Sequence, residues 1–423
     1  MPTTSTKTTA SKKVAVACQG GGMHGAFTVG VLTEILLAYE QKKFDLVGLS
    51  GTSAGALSAL MVWYGLTPKR HGATGVQAAI HQVNRAWENF VAQTTVETWL
   101  NRITYHSFKA EEKEIPWFGI SPKVFGLNPY GAGYRALMAS LPSLRVRTEY
   151  FDFDAFLKNA CPDFEKNIVW QKVDKRLLIG ASEVVRGFET VFDSHVRTRA
   201  VQPNIGMVAM PQARPAGTGG APGAYWRQQL PLSLAGVAAS GTLPVFREAQ
   251  EIRQNGERFF YWDGLYSNNP PMREFFNGPQ KLVPDEIWIV RINPQAWPDP
   301  PRDNAEIQDR QNELMGNLST HKELDLISVQ YGPTVRTIKM TQHTADHLMY
   351  SSKFNRSRAF MDEMRQEGVE RAQAWLANWP NVPTYPQDAT YPRKTRPIRK
   401  TRPIRKTRPI RKTRDHARRV KRT

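Results

Sequence analysis

Gly51-Thr52-Ser53-Ala54-Gly55 is a G-x-S-x-G sequence, a spacing that suits a nucleophilic serine when it falls on a sharp turn from strand to helix. Such a turn lifts the hydroxyl clear of the backbone, and Gly51 and Gly55 remove Cβ atoms that would clash where the helix recrosses the strand. It also exposes backbone N–H groups. Together with the unpaired amides of the helix's first turn, these can stabilise the negative oxygen formed when an ester carbonyl is attacked. The amide of Ala54 is one candidate donor. Those of Gly20, Gly21 and Gly22, in the run Gln19-Gly20-Gly21-Gly22-Met23-His24-Gly25, are others if the two turns lie side by side.

The elements that must hold these turns are legible across residues 14–59. An apolar run at 14–18 predicts a strand, 26–39 a helix, 44–49 a second strand and 56–64 a second helix. Adjacent parallel strands would bring the two turns together at their C-terminal ends. Gly20, Gly22 and Gly25 also spell G-x-G-x-x-G, so a dinucleotide site is an alternative. That fingerprint needs an acid at the far end of the second strand, whereas Asp45 stands at its start and the strand ends in the serine turn. A purely structural glycine turn is a further reading.

Four blocks in a fixed order resemble the patatin-like phospholipases. Gly20-Gly21-Gly22-Met23-His24-Gly25 is similar to that family's oxyanion loop, and Gly51-Thr52-Ser53-Ala54-Gly55 to its nucleophile elbow. Ala239-Ser240-Gly241-Thr242-Leu243-Pro244 resembles its A-S-x-x-x-P segment, and Asp263-Gly264 with Asn268 and Pro270 its D-G-x-x-x-N-x-P block. The resemblance implies a serine–aspartate dyad of Ser53 and Asp263, no catalytic histidine, lipid acyl-ester hydrolysis, and no metal or organic cofactor. Read by itself, the aromatic-rich run 258–262 predicts a strand with Asp263 at its end, where an ordinary Asp-Gly turn is also a sufficient account. Two positions depart from the family's pattern. His24 stands where a basic residue is usual and is expected to carry charge or donate a hydrogen bond, tuning the site's pH response; Leu265 replaces a small residue and is expected to alter the active-site wall.

The chain has 423 residues, enough for one large or two ordinary domains, and its two cysteines, Cys18 and Cys161, exclude a disulfide framework. Cys18 reads as a small buried hydrophobe. Residues 1–13 lack the apolar core of a signal peptide. The longest apolar run noted, 54–66, is too short to span a bilayer, so a cytoplasmic or peripheral membrane protein is expected. The net charge of +19 is uneven: residues 393–423 hold sixteen Lys and Arg against one acid, hence +15, which leaves +4 for the rest.

Within that tail Lys-Thr-Arg-Pro-Ile-Arg occurs three times from residue 394 to 411. Recurrent proline prevents a continuous helix, and mutual repulsion with few apolar residues prevents a core, so an extended polycation is expected. An anionic membrane surface is the favoured partner from Arg393 to Thr423, with nucleic acid as the rival. The competing class of function is a binding or scaffold protein acting through this tail.

Elsewhere, 76–100 predicts one amphipathic helix and 111–134 an aromatic-bearing irregular loop. Neighbouring strands are expected at 176–182 and 189–192, a Gly/Pro-rich loop at 203–223, a small-residue helix at 232–240, and a strand closing the sheet at 286–292. A Pro-rich boundary at 297–302 precedes a helical pattern, clearest at 360–379. His343 and His347 share a helix face without a third ligand, and a Ser–Asp–His order through His321, His343 or His347 is arithmetically open. The expected architecture is a three-layer α/β fold with a mostly parallel central sheet. It divides into a disordered N-terminus (1–13), a catalytic domain (14–295), a helical C-terminal region (296–385) and a disordered basic tail (386–423).

Overall fold

Small and β-branched residues fill β1 (Lys13–Cys18), whose Val14, Val16 and Cys18 face one core and Ala15 and Ala17 the other. A strand apolar on both faces belongs inside a parallel sheet. The computed structural model describes residues 11–112, 152–196, 227–244, 247–254, 256–297, 300–301 and 304–387. Outside them lie most of the loop expected at 111–134, the whole of the loop expected at 203–223, and the basic tail at 393–423.

The sheet runs β5-β4-β3-β2-β1-β8-β9, with β2 at Asp45–Gly51, β3 at Arg176–Glu183, β4 at Glu189–Asp193, β5 at Arg227–Pro231, β8 at Glu286–Arg291 and β9 at Thr334–Lys339. A hairpin of β6 (Gln250–Gln254) and β7 (Glu257–Asp263) joins it where β7 pairs with β3. Parallel pairings predominate: β1–β2, β1–β8, β2–β3, β4–β5 and β8–β9. One face is covered by α1 (Gly25–Glu40), α2 (Ala54–Leu66), α3 (Val76–Glu88) and four helices from later in the chain. The other carries Met272 and Phe275 with Leu324 and Ile327. The fold is a mostly parallel α/β sheet between helical layers.

Strand β3 acts as a ruler for the site. Its first half pairs with β2, so that Gly51 lies opposite Ile179, and its second half pairs with β7, so that Asp263 lies opposite Ala181. Two residues of strand separate those partners, roughly 7 Å. The end of β2, where the serine turn begins, is thereby set beside the end of β7.

Several expectations are corrected. The helix expected over 76–100 is two, α3 and α4 (Thr95–Glu112), because Thr94 and Glu97 form a reciprocal cap: Thr94 Oγ1 accepts from Glu97 N at 3.2 Å and Glu97 Oε2 from Thr94 N at 3.2 Å. That T-x-x-E signature starts a new helix. Strand β8 does not close the sheet, since β9 pairs outside it; β9 comes from the region expected to be helical, so the sheet crosses the boundary expected at 295. Within the N-terminus expected to be disordered (1–13), Lys12 Nζ binds Glu286 at 2.6 Å and Lys13 opens β1. A helical stretch at Gly22–Glu40, 19 residues, is long and apolar enough to cross a membrane by length and composition, and exceeds the apolar run at 54–66. Of its window 67% is buried, so packing within the fold accounts for its apolarity.

Apart from the single turn at Phe164–Asn167, the remaining helices begin with α5 (Phe153–Ala160), α6 (Leu234–Ser240) and the long α7 (Asn304–Gln330). The last two are α8 (Gln342–His347) and α9 (Arg358–Asn378). Helix α9 crosses α1 at such short range that a Cβ on Gly368 would lie 2.1 Å from the Phe27 carbonyl, and one on Gly30 2.0 Å from that of Arg365. The C-terminal helix is thus part of the core that carries the glycine turn.

Candidate active site

Ser53 occupies the turn between β2 and α2 at φ 55°, ψ −124°. A non-glycine residue held there is strained by about 1–3 kcal/mol, and such strain persists where its surroundings over-determine the backbone. Those surroundings are specific: Ser53 N donates to Ser240 Oγ at 2.9 Å, Thr52 Oγ1 to Asn268 O at 2.5 Å, and Gly55 N to Thr52 O at 2.9 Å. Ser240 and Asn268 come from the third and fourth sequence blocks. The close approach expected of the elbow glycines is present, since a Cβ on Gly51 would lie 2.3 Å from Gly55 O and one on Gly55 2.1 Å from Cys18 O.

The glycine turn lies against the elbow. A Cβ on Gly20 would stand 2.6 Å from Thr52 O and 2.7 Å from Ser53 Cβ. Gly20, Gly21 and Gly22 line one cavity with Ser53, about 140 Å3 in volume. The Gly20 amide is nevertheless committed to Asn269 Oδ1 at 2.7 Å, which removes it from the expected oxyanion donors. Gly21 and Gly22, the latter at φ 60°, remain as glycine-turn donors. Ala54 begins α2, where a first-turn amide has no intrahelical acceptor.

Side chains without a sequence motif hold this turn. Gln19 Nε2 donates to Asn317 Oδ1 at 2.8 Å, its Oε1 accepts from Ile292 N and Asn293 N at 3.1 Å, and Asn293 Nδ2 donates to Gly20 O at 2.6 Å. Asn269 sits inside the D-G-x-x-x-N-x-P block at a position the pattern leaves open. Asn317 has no local signal at all.

Asp263 is fully buried at the end of β7. Its Oδ1 accepts from Leu265 N at 2.8 Å, capping the turn through Gly264, where a Cβ would lie 2.4 Å from Gly180 O. Oδ2 has no hydrogen-bond partner. Burial pushes the carboxyl up to about 7, against the opposing effects of the Leu265 amide and the Ser53 hydroxyl. The hydroxyl is thus near enough to stabilise the carboxylate without closing a bond of normal geometry. Catalytic hydrogen bonds are commonly loose before substrate arrives.

His24 does not carry charge. It is 1% exposed, its Nε2 meets Ser352 Oγ at 2.7 Å, its Nδ1 has no partner, and burial reinforced by nearby Lys353 drives its pKa well below the usual value. The cation beside the glycine turn is Lys353, whose Cβ would lie 3.2 Å from a Cβ on Gly22. Burial alone would lower its pKa, but Asp309 at 2.5 Å and Glu313 at 2.9 Å hold it raised. All three line the cavity, as do Leu265, Leu243, Pro244 and Phe354. The cavity is thus lined both by charged side chains, from α7 and Lys353, and by apolar ones.

The remaining histidines stand apart from this chemistry. His343 and His347 lie on α8, with His347 Nδ1 2.7 Å from His343 O, and none of His321, His343 and His347 is among the residues lining the Ser53 cavity. Among the described residues no group of three or more His, Cys, Asp or Glu is placed to hold a metal ion.

Among solved structures the chain is similar to VipD from Legionella pneumophila, at 12% identity over 88% of this chain and 67% of that one, with a TM-score of 0.31. It is also similar to the ExoU–SpcU complex from Pseudomonas aeruginosa, at 12% identity over 86% of this chain and 53% of that one, with a TM-score of 0.28. The chain spans about half the length of that second match. TM-scores this low carry no weight for the chemistry. No curated protein sequence matches the chain. Residues 16–276 match the family model for patatin-like phospholipase, and a match over more than half of the chain, on a sheet that sets the glycine turn beside the serine turn, shows that this protein belongs to the patatin-like phospholipases, a family of lipid hydrolases.

Proposed function

We propose that this protein is a phospholipase A-type lipid acyl hydrolase whose catalytic dyad is Ser53 and Asp263. The observations that carry the reading are a strained serine that shares a cavity with Gly21 and Gly22, and a buried carboxylate whose Oδ2 has no partner and whose proton affinity is lowered by the Ser53 hydroxyl. Asp263 accepts the Ser53 proton as Oγ attacks the ester carbonyl. The amides of Gly21, Gly22 and Ala54 stabilise the tetrahedral oxyanion. Its collapse expels the alcohol, which takes the proton from Asp263, and water activated by the same carboxylate then releases the fatty acid from the acyl-enzyme. The catalytic unit on this reading extends past residue 295, because Asp309, Glu313 and Lys353 wall the cavity.

A fluorophosphonate probe tests the nucleophile: mapping the adduct to Ser53 supports the reading, and a folded protein labelled elsewhere or not at all overturns it. The base is tested by pH. With Asp263 raised to about 7, its proton must be lost before it can accept another. The expected kcat/KM on a soluble ester therefore climbs about tenfold per pH unit below the midpoint and levels off above about 7. A flat profile between about pH 5 and 8 would count against Asp263 as the base.

A further inference from the structure

The two turns of the site are tied to one short segment. Asn268 O accepts from Thr52 Oγ1 in the serine turn, and Asn269 Oδ1 accepts from Gly20 N in the glycine turn. Whatever fixes residues 268 and 269 therefore fixes how the two turns stand to each other. That support comes from α7, which lies beyond residue 276, where the family match ends. Ser319 Oγ donates to Ser267 O, Thr320 Oγ1 donates to Asn269 O at 2.5 Å, and Glu323 Oε1 accepts from Met272 N and Arg273 N at 2.8 Å. Gly316, Thr320 and Glu323, spaced by four and three, share one face of the helix.

Gly316 is buried on that face, and Asn269 requires it to have no side chain. A Cβ there would lie 2.8 Å from Asn269 Nδ2, well inside contact distance. Any shift of Asn269 Nδ2 also moves its Oδ1, because the two atoms belong to one planar amide, and Oδ1 carries the bond to Gly20 N. Thr320 holds the other end of the same residue. Its single hydroxyl proton has a second acceptor in Gly316 O at 2.8 Å, and the shorter contact is the one to Asn269.

We infer that Gly316 and Thr320 are positioning residues for ester hydrolysis at Ser53: together they hold Asn269, and through it the glycine turn, at the setting from which its amides meet the oxyanion. The inference rests on the proposed role of the Gly21 and Gly22 amides and adds what aims them. Neither Gly316 nor Thr320 is among the residues lining the Ser53 cavity, so neither acts by touching substrate.

The test separates positioning from folding, because the two effects of Gly316→Ala have opposite signs. Alanine improves the helix, and only the end of a side chain stands in its way, so the melting temperature should stay at or above that of wild type. The displaced Asn269 amide should release Gly20. On a soluble ester kcat should then fall by at least about tenfold with KM within about twofold of wild type, the pattern of a loss confined to the transition state. Hydrogen exchange of the peptide carrying residues 19–25 should accelerate, whether or not any ester is turned over. Thr320→Val should show the same kcat loss and faster exchange, and Thr320→Ser, which keeps the hydroxyl, should restore both. In Asn269→Ala, which already lacks the bond to Gly20, adding Gly316→Ala should cost no further activity.

Unchanged kcat and exchange in Gly316→Ala overturn the inference, as does additivity of its effect with that of Asn269→Ala. A loss of activity that follows a fall in melting temperature across the variants overturns it too, since the contacts would then be merely structural. If Asn269→Ala does not fold, Thr320→Val against Thr320→Ser still decides. Absence of soluble-ester turnover in wild type would defeat the catalytic reading, while exchange at residues 19–25 would still decide whether α7 holds the glycine turn.

Discussion

Ser53→Ala is expected to reduce ester hydrolysis by on the order of 10^4–10^6-fold, because the group that forms the acyl-enzyme is gone. The fold should survive, with a Tm within a few degrees of wild type, since Ser53 contributes its backbone N–H rather than its hydroxyl to the bonds that hold the turn. Alanine keeps a Cβ and therefore keeps the strain of φ 55°. Ser53→Gly relieves it and is expected to be the more stable of the two by about 1 kcal/mol while equally inactive. Wild-type-like turnover in a folded Ser53→Ala protein would remove Ser53 from the mechanism. A glycine variant less stable than the alanine one would show that the turn is not strained.

Asp263→Asn is expected to lower kcat by at least about 10^3-fold, because an amide cannot accept the serine proton. His321→Ala, His343→Ala and His347→Ala should each leave most of the activity. A histidine variant as damaged as Asp263→Asn would replace the dyad with a triad. The same substitution has a stability signature of opposite sense. Burial pushes the carboxyl up to about 7 in the folded protein from the ordinary 3.8 of an exposed aspartate, so between those values the folded state binds the extra proton. Stability therefore falls as pH rises through that window, and the penalty is fully present above about 7. Asp263→Asn removes it while leaving an acceptor for Leu265 N, and should be roughly 1–3 kcal/mol more stable than wild type at pH 8, with the advantage shrinking toward pH 4. Thermal melts at both pH values decide this. A variant that is less stable at pH 8 would mean that the folded structure compensates the buried carboxylate.

Both effects express one trade-off: a serine in a strained conformation and a carboxylate kept from water each cost stability, and each is suited to chemistry by the same feature. The surrounding groups offset that cost without removing it. Ser240 and Asn268 hold the turn by accepting hydrogen bonds, Ser240 Oγ from Ser53 N and Asn268 O from Thr52 Oγ1, and Leu265 N satisfies one carboxylate oxygen while leaving the other open.

What the sequence determined by itself was local. The strand–turn–helix units around the glycine turn and Ser53, the strands at 176–182 and 189–192 and the helix ending at Ser240 follow from apolar period, glycine placement and caps, which act over a few residues and can be read over a few residues. The Thr94–Glu97 cap is equally local, but the apolar spacing that runs through it masks the break between α3 and α4. Only the tertiary structure decided what depends on partners remote in the chain. Which glycine amides stay open depends on Asn269 reaching Gly20. Whether His24 is charged depends on its burial and on Lys353. That Lys353 stands beside the glycine turn depends on ion pairs with α7, and the place of Asp263 beside the serine turn depends on β3 pairing with β2 and β7 at once. Hydrogen-bond commitment and desolvation are properties of the surroundings that folding creates, and no spacing of residue types along the chain encodes them.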